Sequence, residues 1–485
     1  MRSILAIVNV LGALLALFSA YYLLPVATAL LYGERGPLAA FAACGVATLV
    51  LGGVLLLATR RHRAELKPRD GYLLVSLGWL LLTASAAEPF RLILGMSVTD
   101  AYFEAMSGLS TTGSSVITGL DALPRSVNLW RHALHWLGGM GIIVLAVAVL
   151  PLLGVGGMQM YRAEAPGPVK DAKLTPRITE TAKALWLVYA GITAVCFVTF
   201  WLAGMSAFDA VCHAFSVLSL GGFSTHDASV GYFDSPLIEL LFIFFMVIAA
   251  LNFATHFLAL RRREPSAYRR DPEARWVVLG LAAGVMVAAL MVHAEAVYPD
   301  FPTSLRHAAF NVVSLATTAG FVTQDYSAWP LFVPVMMLFM SSVLPSTGST
   351  GGGIKLFRAL IMLKQWFRET FALVHPHAVI PLKIAGQVVS NRVVNSVLAF
   401  VFVYFMTVVI LTFVMLATKL DFATALSAVL ASVNNAGPGL GQVGPATNYA
   451  GFNDLQTWIC TLAMFLGRIE LFTFLILFTR TFWRK

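Results

Sequence analysis

The chain is predicted to be an all-α polytopic membrane protein: two extra N-terminal helices, then four helix, pore-helix, helix repeats in a pseudo-fourfold arrangement around one pore. Three observations predict this fold. Of the 485 residues, 58% are hydrophobic and only 12% charged, against roughly 25% charged in a soluble domain, and the mean hydropathy is +0.79. Apolar runs close to or above the ~20 residues that cross a bilayer recur from end to end. Four small-residue heptapeptides, SGLSTTG (107–113), SVLSLGG (216–222), SLATTAG (314–320) and ASVNNAG (431–437), each close on a glycine between two such runs.

The apolar runs cover 4–31, 37–58, 72–90, 133–153, 184–205, 236–260, 276–297, 391–418 and 457–479, with an interrupted one over 328–363. The first has a short basic start, and cleavage near Ala20 would suit a signal peptide. Its apolar stretch continues through Leu31, longer than a signal core of roughly 7–15 residues, so a retained helix is expected. The division expected is 1–70 for the two N-terminal helices, 71–160, 161–262 and 263–390 for repeats one to three, and 391–485 for repeat four. Placing the N-terminus inside puts 26 of the 33 Lys and Arg on the cytoplasmic side, so both termini are expected in the cytoplasm and the four heptapeptides outside. That bias, with contact to anionic membrane lipid, accounts for the net charge of +9 without any nucleic acid. Cys44, Cys196, Cys212 and Cys460 lie in apolar surroundings without ligand spacing and read as packing residues.

The glycines Gly113, Gly222, Gly320 and Gly437 are 109, 98 and 117 residues apart, the signature of a duplicated unit. Before the first two, Asp100 and Asp209 stand thirteen residues upstream, where an acidic residue suits the start of a short helix dipping in from outside. His307 and Thr424 hold that place in the third and fourth repeats. Non-helical backbone at membrane depth is tolerated only where it is buried in protein or lines water. Extended loops meeting on one axis would then present a ring of carbonyls that replaces an ion's hydration shell, with helix C-termini favouring a cation. By contrast the glycines of WLGGMG (136–141) and LLGVGG (152–157) read as sites of close helix packing.

Two further features fit a gate. PSTGSTGGG (345–353) interrupts an apolar helix with proline and glycine, making Gly348, Gly351, Gly352 and Gly353 gate candidates. GSTGGGIK lacks the GK[ST] ending of a phosphate-binding loop. Arg468 lies about eleven residues into the last run, where it should face the interior or water; a fixed positive charge below a carbonyl ring would limit cation flux, and pairing with Glu470 is the alternative. Asp100, Glu104, Asp121, Asp227 and Asp325 are expected on the outer face, concentrating cations or simply solvated. His132, His135, His213, His226, His256 and His307 form no metal-binding spacing and are assigned no chemistry. Nothing in the sequence supports an enzyme active site or an organic cofactor.

The stretches SGLSTTGSS (107–115), HWLGGMGIIVLAVAVLPLLGVGGMQMYRAEAPGP (135–168), SLGGFSTHD (219–227), NNAGPGLG (434–441) and FLGRIELFT (465–473) strongly resemble the Trk/Ktr/HKT superfamily of potassium transporters, most closely its bacterial members. The resemblance covers essentially the whole chain. It implies potassium uptake across the bacterial inner membrane through a selectivity filter whose potassium-binding carbonyls belong to Thr111, Thr112 and Gly113; Leu220, Gly221 and Gly222; Thr318, Ala319 and Gly320; and Asn435, Ala436 and Gly437. It implies that the 345–353 loop blocks the pore beneath the filter with Arg468 beside it. It further implies a homodimer and a separate cytosolic nucleotide-binding regulatory subunit of the TrkA kind. Relatives that admit sodium often carry serine at the place of Gly113, so potassium preference is implied. The alternative is a secondary transporter coupling potassium entry to sodium or protons by symport.

Overall fold

A computed structural model of the chain describes residues 2–62, 66–141 and 178–484. Six of the described helices are long and apolar enough to cross a membrane: Ile4–Tyr32, Arg35–Thr59, Arg69–Leu94, Ala182–Leu202, Pro272–Ala294 and Asn391–Ala417. The first two form an antiparallel pair in which backbones touch. A Cβ on Gly12 would lie 2.9 Å from the Gly52 carbonyl oxygen, and one on Gly52 2.6 Å from the Ala16 amide, so glycine is what permits the approach. Tyr22 then donates to the Ser85 carbonyl at 2.7 Å, fastening this pair to the third helix.

Four short helices alternate with the long ones: Val98–Leu109, Ala207–Ser219, Phe301–Ala316 and Phe422–Val433. Each is followed by one of the repeated glycines and then by an extended loop. The helices that follow the second, third and fourth of these loops are interrupted. Pro236–Ala250 and Phe253–Arg262 meet at 96°, and Asp454–Arg468 and Leu471–Phe478 at 106°. Phe332–Val343 is separated from Leu356–Val374 by the 344–355 segment. Arg125–Trp136 runs into a π-helical turn, Leu137–Gly141; the rest of the run expected over 133–153, and LLGVGG, lie outside the described residues.

Two of those breaks correct the expectation of unbroken spans over 236–260 and 457–479. Neither break contains Pro or Gly; the ends are held by tertiary partners. At the first, the Ser346 amide donates to the Ala250 carbonyl at 3.0 Å and the Phe253 amide to the Gly348 carbonyl at 3.1 Å, while Asn252 caps Ala254 at 2.8 Å. Helix-end groups that would otherwise be orphaned are thereby satisfied. At the second, Glu470 takes φ +59 and its carboxylate pairs with Arg358 at 2.9 Å.

The all-helical expectation has one small exception. Lys383–Ile384 and Gln387–Val388 form an antiparallel hairpin around Ala385 and Gly386, both at positive φ, as a two-residue hairpin turn of this kind requires. The four cysteines are buried and unbridged.

Candidate functional site: a ring of four loops over an intramembrane segment

The short helices are capped alike at their outer ends. Ser97 accepts from the Asp100 amide, Ser206 from Asp209, Asp300 from Thr303 and Asp421 from Thr424. This corrects the expected capping residues. Asp100 and Asp209 sit in the first turn and accept from the serine hydroxyls at 2.8 and 2.7 Å. His307 marks no helix start, because the third short helix is longer: 16 residues against 12 for the first. The third and fourth repeats carry genuine acidic caps, Asp421 at the same distance from its glycine as Ser97 and Ser206, and Asp300 one turn further out.

The inner ends also repeat. The amides of Thr112, Gly221, Ala319 and Ala436 donate five residues back, to Ser107, Ser216, Ser314 and Ala431, at 2.9, 2.8, 2.8 and 2.8 Å. Thr111, Leu220, Thr318 and Asn435 all lie in the left-handed region, at φ +55, +54, +65 and +53. This is a Schellman-type helix ending made with residues other than glycine. Two residues further, Gly113, Gly222, Gly320 and Gly437 again have positive φ, from +75 to +86.

These loops converge. A Cβ on Gly113 would collide with the carbonyl oxygen of Gly221, one on Gly222 with that of Ala319, and one on Gly320 with that of Ala436; one on Gly437 would lie 2.8 Å from that of Thr112. The chain of contacts runs from the first loop to the second, third and fourth and back to the first. Loops from parts of the sequence more than 300 residues apart thus close on one another in a ring. The loops are not equivalent, since the Gly437 carbonyl already accepts from Ser114 at 3.1 Å and from Tyr449 at 2.9 Å.

Behind the ring, polar side chains of the short helices hold the outgoing strands. Glu104, expected on the outer face, is instead completely buried and paired with buried Arg131 at 2.8 Å. Its carboxylate also accepts from Ser115 and from the Val116 amide. His213 contacts Ser224 Oγ at 2.9 Å, Asn311 bonds the amide and hydroxyl of Thr323, and Ser427 accepts from the Leu440 amide at 2.7 Å. His135 stacks on Phe223 at 4.0 Å. The sequence reading gave Glu104 and His213 no such role and did not name Asn311 or Ser427; the signal that finds these four is a polar side chain at nearly one offset before every glycine.

Among the other outer acids, Asp121 bonds His226 at 2.5 Å and Asp227 accepts from the Gly119 and Leu120 amides at 3.1 Å. Asp325 caps a short turn at Tyr326–Ala328. Among the described residues, no group of three or more His, Cys, Asp or Glu is placed to hold a metal ion.

Beneath the ring lies the 344–355 segment. The Gly352 amide donates to Thr318 Oγ1 at 3.2 Å, and a Cβ there would collide with the Asn434 carbonyl. A Cβ on Gly351 would meet Pro345 at 2.8 Å and Thr318 Oγ1 at 3.1 Å. Thr350 donates to the Leu218 carbonyl at 3.0 Å. The segment therefore rests against the inner ends of the second, third and fourth short helices. Gly348 and Gly353, at φ +81 and +78, turn its two sides. The Thr347 amide is held by the buried Glu273 carboxylate at 2.9 Å.

Arg468 completes this layer. It donates to the carbonyls of Thr350 at 2.9 Å and Gly139 at 3.1 Å, and to that of Gly138. The Gly138 position packs on the Leu109 carbonyl, at the inner end of the first short helix, so WLGGMG serves close packing and also supplies acceptors for the arginine. Glu470, the alternative partner, is occupied by Arg358.

Comparison with known proteins agrees with this architecture. The family described as "TrkH: Cation transport protein" matches residues 37–485. The Trk system potassium uptake protein TrkH of Vibrio parahaemolyticus is 47% identical over 484 residues, covering 99% of either chain. That of Escherichia coli K12 is 44% identical over 482 residues, again 99% of each. The crystal structure of the potassium transporter TrkH from Vibrio parahaemolyticus superposes with a TM-score of 0.89 at 44% identity, covering 100% of this chain and 99% of that one. The chain is accordingly a multi-pass membrane protein that belongs to the TrkH family of cation transport proteins.

Proposed function

We propose that this protein takes up potassium across the bacterial inner membrane through a channel-like pore whose selectivity filter is the ring of four loops. The observation that carries the reading is the closed circuit in which each glycine faces the next loop's carbonyl oxygen. Such a circuit suits a dehydrated cation coordinated by backbone oxygens. The names of the relatives, all potassium uptake proteins or transporters, support potassium as the ion. The filter comprises Thr111 to Gly113, Leu220 to Gly222, Thr318 to Gly320 and Asn435 to Gly437, within four repeats spanning 71–160, 161–262, 263–390 and 391–485.

The 345–353 segment acts as the gate. Its contacts with three short-helix ends support this reading, and Arg468 adds a positive charge beside it. The basic character of the segments between helices supports cytoplasmic termini. Control is assigned to a separate cytosolic nucleotide-binding subunit of the TrkA kind, acting on a homodimer of this chain. The test is ion flux in proteoliposomes containing the full-length protein. Potassium uptake that follows its own gradient, exceeds sodium uptake and ignores imposed sodium and pH gradients is expected; equal sodium flux, or potassium accumulation driven by either gradient, overturns the reading.

A further inference from the structure

The supports behind the ring differ in chemistry from repeat to repeat. Glu104, His213 and Asn311 each stand nine residues before their glycine, and Ser427 stands ten before Gly437. Each side chain reaches the second or third residue after the glycine. Only the first support is a carboxylate, and it is completed by Arg131. The guanidinium donates from Nε to Glu104 at 2.8 Å, from Nη2 to Ser115 Oγ at 3.2 Å and from Nη1 to the Ser224 carbonyl at 3.3 Å. It also lies 4.1 Å above the Phe223 ring. Ser115 belongs to the first loop, and Phe223 and Ser224 to the second.

We propose that Glu104 and Arg131 are positioning residues that set cation discrimination by fixing the first two loops relative to each other. The inference rests on the reading of the ring as a selectivity filter. Oxygens around a dehydrated ion discriminate by size only as far as they resist closing on the smaller one, and that resistance comes from what stands behind them. A single hydrogen bond yields easily. A buried ion pair sharing a hydroxyl, an amide and a carbonyl with two loops yields far less, because a low local dielectric strengthens each contact. The pair is neutral as a whole, so it stiffens the ring without adding a net charge beside the pore. Neither side chain is part of the ring of oxygens.

The test uses the full-length protein in proteoliposomes, with potassium and sodium fluxes measured on the same preparation. Removing one charge would strand the other in the interior, so the informative variant is Glu104→Gln with Arg131→Gln. It is expected to conduct potassium while sodium permeability relative to potassium rises about tenfold, a differential of ~1.4 kcal/mol. Ser115→Ala removes the shared hydroxyl without touching a charge and should raise the ratio about threefold; it carries the test should the double variant not fold. Mere loss of folded protein lowers both fluxes in proportion and leaves the ratio alone. Gly113→Ser serves as the reference. An unchanged ratio in the folded support variants, with a shifted one in Gly113→Ser, overturns the role of the pair. An unchanged ratio in all three overturns the filter reading beneath it.

Discussion

Arg468 donates to the Thr350 carbonyl oxygen at 2.9 Å, so the last interrupted helix is tied to the intramembrane segment. A guanidinium at bilayer depth costs roughly 2.5–3.5 kcal/mol on insertion scales, and carbonyls from two distant segments offset that here. Arg468→Ala removes these bonds together with the positive charge. Potassium flux in proteoliposomes is expected to rise by about tenfold, in line with charged hydrogen bonds of ~1.5–3 kcal/mol. A lower flux from well-folded protein would assign the arginine a structural role instead.

Deleting residues 348–353 takes away the backbone that rests on Thr318, Asn434 and Leu218. Flux should then no longer depend on the cytosolic partner. The comparison is uptake with and without that partner; strict dependence in the deletion variant rules out the segment as the gate.

Gly113 has φ +86 and faces the Gly221 carbonyl. A serine there is strained by its backbone, a cost of order 1–3 kcal/mol, and its Cβ displaces an oxygen of the second loop. The expected result is a fall of about tenfold in the potassium-to-sodium permeability ratio, measured from reversal potentials. An unaltered ratio would remove Gly113 from the filter.

Outside the bilayer, His226 lies between Asp121, at 2.5 Å, and Asp209, at 3.5 Å. Burial opposes the charged imidazole, yet hydrogen bonds and charges from the two aspartates outweigh it and hold its pKa above the ordinary histidine range. Asp121 is likewise disfavoured by burial but held below the usual carboxylate range by His226 and the Asp227 amide. The histidine's contribution is complete below its unfolded pKa of about 6.5 and disappears as pH rises through the elevated folded value. The aspartate's is complete above about 3.9 and disappears as pH falls through its lowered value. Thermal stability of the purified protein should therefore decline from pH 6 toward pH 9 by more in the native chain than in His226→Gln; parallel declines would contradict the link.

Much of this architecture is written locally in the sequence. Long apolar runs mark the spans, and a glycine after a small-residue heptapeptide marks each loop, because both effects need only neighbouring residues. The helix breaks at Leu251 and Glu470 are not local. At the first the end groups are satisfied by Ser346 and Gly348, and at the second the Glu470 carboxylate is held by Arg358, each partner about 100 residues away in sequence. Glu104 shows the same limit from the other direction. A carboxylate near the outer surface reads as solvated until Arg131, 27 residues later, folds onto it. The cap Asp300 escaped notice because alignment on the glycine assumes equal helix lengths, and the third short helix has an additional turn; Asp421 was missed because the position thirteen residues before the glycine was read as the cap, which lies three residues earlier.

The circuit of glycines has a consequence for how such a protein can change. A side chain added at any one of them strains its own backbone and also presses on the adjacent module, so the damage is handed on around the circle. The four loops differ in nearly everything else, down to what stands behind each one. At these four places they are bound to inherit together, since every copy must leave room for the next.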